Sequence, residues 1–402
     1  MDVKELLLTL LLKKGKTLVM ELRCFMSFFG EKTMTKQGYS KKRKNLNPEV
    51  FRVLNDEYVK MMYEGRSDIK VFGEYYILAV DGSIIELPNN KGLKEACGVI
   101  PGQPGSVGRV RGRAMGVYDC LNSIMVHTRI GGYNGKENSE KTMIREEIPK
   151  IQELMKEKPF ILVMDRGYCG LAFLNYLEKN DVKYLVRVNN KHYKQEKVSM
   201  KTSDEVIKIK LRSNSLMDVR DEKEKEELKK QKYYETRIIK VMVGETEEHL
   251  MTNLSKEELN YEDVKELYHI RWEVEKSFDV LKNKIEIENF SAQTMLGIEQ
   301  EFYAGIVLYN IVEDVYQEAK SDATREGRKY ETKINKNILV GILKEDLIKL
   351  VMKRNKVSQL YYYNKIVKEI KKYLVDVRPG RKHPRYKTSS RNKYRSNMRR
   401  NS

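Results

Sequence analysis

The sequence predicts an α/β protein built on a mixed sheet, and three observations carry this prediction. Two apolar runs, residues 75–80 and 160–164, have the length and continuity of strands buried on both faces, and an aspartate follows each. Two further strand-like segments, residues 114–118 and 123–130, lie between them. Helices and a strand then alternate at residues 140–156, 171–179 and 184–188. Strands grouped first and alternating with helices afterwards indicate a mixed sheet with parallel additions, which is the order of an RNase H-like fold.

The chain has 402 residues, enough for one large core with insertions or for two to three domains. We expect five regions. The core is divided in the sequence by a β-rich insertion, which has strand-like runs at its start and its end. They are residues 1–70 (helical), 71–188 with 257–320 (core), 189–256 (β-rich insertion), 321–377 (C-terminal helices) and 378–402 (basic tail).

The N-terminal region has helical periodicity at residues 3–12, 18–29 and 48–63, with a basic joint at residues 41–44. A small helical DNA-binding domain would account for the basic joint. A helical shell packed on the core, with the lysines merely solvated, accounts for it equally well, and the sequence leaves both open.

Charge and composition restrict the class of partner. The 77 Lys and Arg residues exceed the 58 Asp and Glu residues by 19, which suits nucleic acid more than a membrane surface. Apolar runs of transmembrane length are absent from the sequence. The four cysteines are scattered and form no C-x-x-C pair, so we expect a reducing compartment, the cytoplasm. The five histidines are not paired at ligand spacing either, so carboxylates would have to hold any catalytic metal.

Two stretches are candidates for phosphate contacts. Residues 97–113 read as a glycine-rich loop carrying Arg109, Arg111 and Arg113, either a basic loop that touches phosphates or a plain connection. Residues 378–402 hold ten Lys and Arg and no acid, so this tail should be disordered when free and add nonspecific attraction to phosphates.

The stretch at residues 267–285 contains neither glycine nor proline and predicts a long helix. At 100° per residue its apolar side chains form a core-facing stripe. Tyr268, Arg271, Glu275 and Lys282 fall within an arc of about 60° beside that stripe. Taken alone, this row could be a solvated face with intrahelical pairs such as Arg271–Glu275.

The spacing of those four residues, Y-x2-R-x3-E-x6-K, resembles the signature of the bacterial insertion-sequence transposases of family four. Asp81 in AVDGS and Asp165 in DRGY match the first two acidic elements of the same family. The resemblance spans residues 75–310, and the three motifs occur in the expected order.

The resemblance implies a DDE transposase, an enzyme that cleaves DNA and transfers strands. Asp81, Asp165 and Glu275 would then bind two divalent cations, Mg²⁺ or Mn²⁺, about 3.5–4 Å apart. It also implies that Tyr268, Arg271 and Lys282 contact DNA phosphates near the cleaved end. In many relatives an aromatic residue of the insertion takes up a flipped base, whereas the single tryptophan here, Trp272, lies on the signature stretch.

The implied partners are the terminal inverted repeats of an insertion sequence and target DNA, bound by a homodimer associated with the bacterial nucleoid. Two alternatives remain open on the sequence. A metal-dependent nuclease with the same core would carry the same carboxylates, and a catalytically inactive relative would still bind DNA.

Overall fold

The computed structural model describes residues 1–30, 34–101, 108–211, 219, 222–320 and 330–378. Of the predicted basic tail only Arg378 lies within these ranges, and part of the predicted glycine-rich loop, residues 102–107, lies outside them. Among the helices so described, none is both long and apolar enough to cross a lipid bilayer.

A large mixed sheet forms the centre of the molecule and confirms the predicted α/β class. The strand order is β4-β3-β1-β5-β6-β9-β8-β7, and the short β2 pairs with the start of β3. β5 and β6 run parallel to β1, and the remaining pairings within this sheet are antiparallel. The strands are β1 (Tyr76–Glu86), β2 (Val99–Ile100), β3 (Arg109–Asp119), β4 (Ile124–Gly132), β5 (Phe160–Met164), β6 (Lys183–Arg187), β7 (Asp204–Lys210), β8 (Tyr233–Val243) and β9 (Thr246–Thr252).

Helices cover both faces of this sheet, because the central strands are apolar on both sides. They are α1 (Val3–Leu11), α2 (Leu18–Met26), α3 (Lys36–Lys44), α4 (Glu49–Gly65), α5 (Lys91–Cys97), α6 (Glu140–Met155), α7 (Leu171–Lys179), α8 (Lys194–Val198), α9 (Glu222–Lys230), α10 (Tyr261–Ile270), α11 (Glu273–Val280), α12 (Met295–Lys320), α13 (Lys336–Val351) and α14 (Lys356–Ile370). A two-stranded ribbon of β10 (Thr332–Ile334) and β11 (Leu374–Asp376) brackets the last two helices.

The alternation of side chains along β1 assigns the helices to opposite faces. Ile77 and Ala79 face a core that contains α11 and α12. Leu78 and Val80 face a second core that contains α6 and α7. A helix that precedes a parallel strand runs antiparallel to it, so α6 begins near the end of β5.

The N-terminal helices pack against the same body. Arg43, within the predicted basic joint, is a buried residue of α3 rather than a solvated one. Its guanidinium donates to the Gln300 and Glu301 side chains of α12 at 2.6 and 2.7 Å and to the Gly297 carbonyl oxygen at 2.6 Å. Lys13 reaches Glu301 from the end of α1 at 2.5 Å. These contacts join the N-terminal helices to α12, and whether these helices also bind DNA stays a prediction.

The segment at residues 189–256 continues the central sheet. Its strand β9 pairs with β6, so that Val186 lies opposite Met251, and β8 and β7 follow outwards. The charged stretch near residue 226 forms α9, whose Leu228 is buried beside Ala172 of α7. Whether this segment is a separate inserted unit stays a prediction.

Candidate active site

Asp81 lies in the middle of β1 and does not close the strand, contrary to the prediction. The backbone continues in register with β3, with Asp81 opposite Gly116, so the Asp81-Gly82 pair forms no turn. The run of apolar residues ends at Val80, but antiparallel pairing to Glu86 holds the polar continuation extended. Burial raises the pKa of Asp81 to about 6, although the Gly82 N–H and Arg271 act to lower it.

Asp165 follows directly after β5, as predicted. The last paired residues of β1 and β5 are Val80 and Met164, so Asp81 and Asp165 occupy the next position on two adjacent parallel strands. Side chains at equivalent positions of neighbouring strands project from the same face. The register therefore brings the first two predicted carboxylates to one edge of the sheet. The Oδ1 atom of Asp165 is buried and has no hydrogen-bond partner among the described residues.

The predicted signature helix is not continuous. α10 ends at Ile270, α11 begins at Glu273, and residues 281–285 form a π-helical turn. The backbone N–H groups of Trp272 and Val274 bond to carbonyls three residues earlier, which tightens the turn between the helices. A uniform rotation of 100° per residue does not hold across these irregularities, so the common arc of the four side chains stays a prediction.

Arg271 and Glu275 remain together. The Arg271 Nη2 atom donates to Glu275 Oε1 at 3.0 Å. The Arg271 side chain is 4% exposed and that of Glu275 is 41% exposed, so the pair reaches from the interior to the surface. Burial lowers the pKa of Arg271, but Tyr268, Glu275 and the two aspartates more than offset this and raise it. Arg271 is thus the cation that neutralises this acidic group.

Tyr268 and Lys282 lie on either side of that pair. The Tyr268 ring is buried, and its hydroxyl has no hydrogen-bond partner among the residues described. Burial raises the pKa of Tyr268 to about 12, an effect that nearby Asp165 reinforces. Lys282 instead reaches β1, where its Nζ atom donates to the Ile84 carbonyl oxygen at 2.7 Å.

Arg109, Arg111 and Arg113 belong to β3 and not to a loop, which corrects the prediction. The sequence RVRGRA alternates with a period of two, and the intervening Val110 and Ala114 are buried. Arg109 pairs with Glu86 of β1 at 2.9 Å, and Arg113 lies over the Tyr133 ring. The three arginines therefore share one strand face, and part of their charge is already neutralised.

The three predicted carboxylates are not gathered into a finished metal site. Within the described ranges, no group of three or more His, Cys, Asp or Glu side chains is close enough to hold an ion. Glu275 lies near enough to Asp81 to raise the pKa of that carboxyl, but its own carboxylate is bonded to Arg271.

Comparison with known proteins identifies the family of the chain. The family described as "Transposase DDE domain" matches residues 72–311, more than half of the chain. The chain belongs to this family. It is therefore a DDE-type transposase, and the matched range contains both aspartates and Glu275. A search of curated proteins found no match. One similar solved structure is the "piggyBac transposase synaptic complex with hairpin DNA", with 8% identity, a TM-score of 0.43, and coverage of 90% of this chain and 74% of that one.

Two residues of this DDE-type transposase at the site were not predicted. Glu140 opens α6 and lies against Gly82, beside Asp81. Arg187, at the end of β6, follows Val186, the partner of Met164, and forms an ion pair with Glu248 of β9. The signal for Glu140 was available, since an acid at the start of a helix that precedes a parallel strand belongs near the carboxyl end of that strand, where ligands bind.

Proposed function

We propose that the chain cleaves DNA at the ends of an insertion sequence and joins those ends to target DNA by phosphoryl transfer. The observation that carries the proposal is the placement of Asp81 and Asp165 directly after the last paired residues of two parallel strands, with the Arg271–Glu275 pair beside them. Carboxylates on adjacent strands and one from a helix suit the shared ligation of hard cations. The family match supports the same reaction class.

The side chains present fit a divalent metal ion of the Mg²⁺ or Mn²⁺ type. Carboxylate oxygens are the donors, and one of them, Asp165 Oδ1, is buried without a hydrogen-bond partner in the described structure. A buried, unpartnered carboxylate oxygen is costly unless a cation or a donor satisfies it. We infer that Asp81, Asp165 and Glu275 hold two such ions, which would activate the attacking oxygen and stabilise the leaving oxygen.

In this proposal the residues of the chain bind and orient the DNA strand. Glu275 leaves Arg271 to join the two aspartates, which frees the Arg271 guanidinium to take a phosphate in bidentate fashion. The buried hydroxyl of Tyr268 supplies a directional donor for the same phosphate. Lys282 adds a point charge nearby, once it releases the Ile84 carbonyl. Arg109, Arg111 and Arg113 would attract the flanking duplex.

We also propose that the chain has an RNase H-like core and belongs to insertion-sequence family four. The order β4-β3-β1-β5-β6, with an antiparallel first part and parallel additions, supports an RNase H-like core. The spacing of Tyr268, Arg271, Glu275 and Lys282 supports membership of insertion-sequence family four. The strands β7 to β9 would then be the β-rich insertion between the second and third carboxylates.

A donor DNA carrying the sequences that flank the coding region tests the proposal. With Mg²⁺ and a plasmid target, the wild-type chain should release the element and join its ends to the plasmid. Cleavage without joining would leave a metal-dependent nuclease as the correct function, and binding without cleavage would leave an inactive relative. Short inverted repeats at both flanks would identify the ends to use.

A further inference from the structure

The sheet has a notch beside Asp81. β5 ends at Met164, whereas β1 continues for six residues beyond its partner Val80, as far as Glu86. Within the described structure no strand therefore pairs with that edge of β1 after Val80. Gly82 is the second residue along this open edge, and because it has no side chain it leaves space on the face that carries Leu78 and Val80.

Glu140 occupies the space that a side chain at Gly82 would fill. α6 packs against the Leu78 and Val80 face, and Ser139 caps it by accepting from the Thr142 N–H at 3.3 Å. Glu140, the first helical residue, lies so close to Gly82 that a Cβ atom built there would collide with its carboxylate. Its Oε2 atom also accepts a hydrogen bond from the Tyr168 hydroxyl at 3.4 Å.

Glu140 and Glu275 thus approach Asp81 from the two faces of the sheet. Glu275 is hydrogen-bonded to a cation, Arg271, whereas Glu140 accepts from the neutral hydroxyl of Tyr168. A cation placed between neighbouring carboxylates would relieve their mutual repulsion.

Two groups at this edge indicate that a ligand is missing from the hydrogen-bond network. Tyr268 is 6% exposed, and its hydroxyl has no partner among the described residues. The Oδ1 atom of Asp165 is also buried and has no hydrogen-bond partner in the described structure. Buried polar groups without partners are uncommon in folded proteins and mark sites that something else completes.

We propose that Glu140 is a fourth carboxylate ligand of the metal site, binding the divalent ion that Asp81 holds. The proposal rests on the proposed two-metal function. It gives Gly82 a role, because a side chain there would displace the Glu140 carboxylate. It also gives Tyr168 of the DRGY element a role, since its buried hydroxyl orients Glu140. An acid at the first position of a helix is also favourable without a metal, because it interacts with the helix dipole. The test must distinguish this purely structural role from metal binding.

The test is Mn²⁺ binding to the full chain without DNA, measured by calorimetry and by the electron paramagnetic resonance signal of free Mn²⁺. Glu140→Gln should weaken binding by at least about 10-fold, a loss of about 1.4 kcal/mol. Gly82→Ala should weaken it similarly, since the collision involves only the far end of a flexible side chain and the backbone need not shift. Glu153→Gln, an exposed acid on the same helix, is the matched control and should bind as the wild type.

The role of Glu140 would be overturned if Glu140→Gln and Gly82→Ala both bound Mn²⁺ as tightly as the wild type while Asp81→Asn lost binding. That result would leave the proposed function standing. Unchanged Mn²⁺ binding in Asp81→Asn and Asp165→Asn would overturn the metal site itself and this inference with it. Tyr168→Phe removes only the orienting hydroxyl, so it should weaken binding by less than Glu140→Gln does; an equal or larger loss would contradict the orienting role.

Discussion

Arg271 donates a hydrogen bond to Glu275 across one turn of the signature segment, with 3.0 Å between Nη2 and Oε1. The guanidinium is buried and the carboxylate is partly exposed, so the arginine holds the acid from the inside. The ion pair with Arg271 keeps the Glu275 carboxylate near Asp81. It also neutralises the charge of Glu275, so no further unpaired charge is added beside Asp81 and Asp165. Exchange of Glu275 for a DNA phosphate would release the acid for ligation at the moment substrate binds.

We expect Glu275→Gln to reduce DNA cleavage by at least about 100-fold, because a misplaced or missing ligand loses the positioning on which the reaction depends. Binding of end DNA should change little, since the substitution removes a negative charge and keeps the size of the side chain. Cleavage assays and mobility-shift titrations on the same DNA measure the two effects.

Glu273→Gln is the control, because Glu273 lies two residues away on α11 and pairs with the exposed Lys276. It should cleave as the wild type does. A Glu275→Gln chain that cleaves normally, or one that fails to bind DNA at all, would remove Glu275 from the proposed ligand set.

The sequence predicts where the strands and helices lie better than where they end and how they are connected. β5 and α7 begin and end where the apolar pattern does. Asp81 was expected to end a strand because polarity changes there, but pairing with Gly116 is a long-range contact that no local pattern reveals. The glycines near the arginines of β3 suggest a loop, although the period of two in RVRGRA favours the strand that is found.

The sequence indicates the candidate residues of the site but not their arrangement, and the roles of these residues stay a prediction. Asp81 and Asp165 meet through the register of parallel strands, which two apolar runs ending in aspartate anticipate. The tightened turn after Arg271 and the π-helical turn at residues 281–285 depend on tertiary packing, so an ideal helical wheel does not describe the whole segment. Glu140 lies across Gly82 on the opposite face from Asp81, and the order of the elements alone does not reveal that contact.

Glu301 should be a main support of the N-terminal helices. Its buried carboxylate pairs with Lys13 at 2.5 Å and Arg43 at 2.7 Å. Removing one partner of a buried ion pair leaves the others uncompensated, so Glu301→Gln should lower the free energy of unfolding by about 3–5 kcal/mol at pH 7. The shift in the urea midpoint, followed by circular dichroism, measures this loss.

The same substitution has a predictable pH dependence. Burial alone would raise the pKa of Glu301, but Lys13 and Arg43 hold it at about 2, below the ordinary value of 4.5. The stabilisation is therefore fully present above about pH 4.5 and is lost as the pH falls towards 2. The stability difference between wild type and Glu301→Gln should shrink over that interval. A difference that stays constant from pH 6 to pH 3 would mean that the ion pairs contribute nothing.

Asn310 joins α12 to β4 and α4 through a buried amide. It accepts from the Met125 backbone N–H at 2.8 Å and donates to the Met125 carbonyl oxygen and to Asn55 at 3.0 and 2.8 Å. Asn310→Ala should cost about 1–3 kcal/mol for each buried group left unpaired, visible as a lower melting temperature. The exposed Asn337, replaced by Ala, is the control and should melt with the wild type. Equal melting of all three chains would refute the assignment.

Salt dependence should reveal whether the predicted basic tail binds DNA. Every phosphate that the protein neutralises on duplex DNA adds about 0.9 to the steepness of log affinity against log salt. Deleting residues 379–402 removes nine of the ten Lys and Arg counted from Arg378 onwards. We expect a flatter slope and weaker binding at low salt, measured by fluorescence anisotropy. Identical slopes for the full and shortened chains would show that the tail does not touch DNA.

The last prediction concerns assembly on DNA. An element must be cut at both ends, and the proposed centre of Asp81, Asp165 and Glu275 would process only one end at a time. We therefore expect two chains to bridge two ends, so that neither end is cut alone. The excess of 19 positive charges opposes self-association until DNA neutralises it, which makes dimerisation dependent on the ends. Light scattering should give the mass of a monomer for the free chain and of a dimer with end DNA. Scrambled DNA of equal length is the control, and a monomeric complex on one end that completes both cleavage and joining would contradict the prediction.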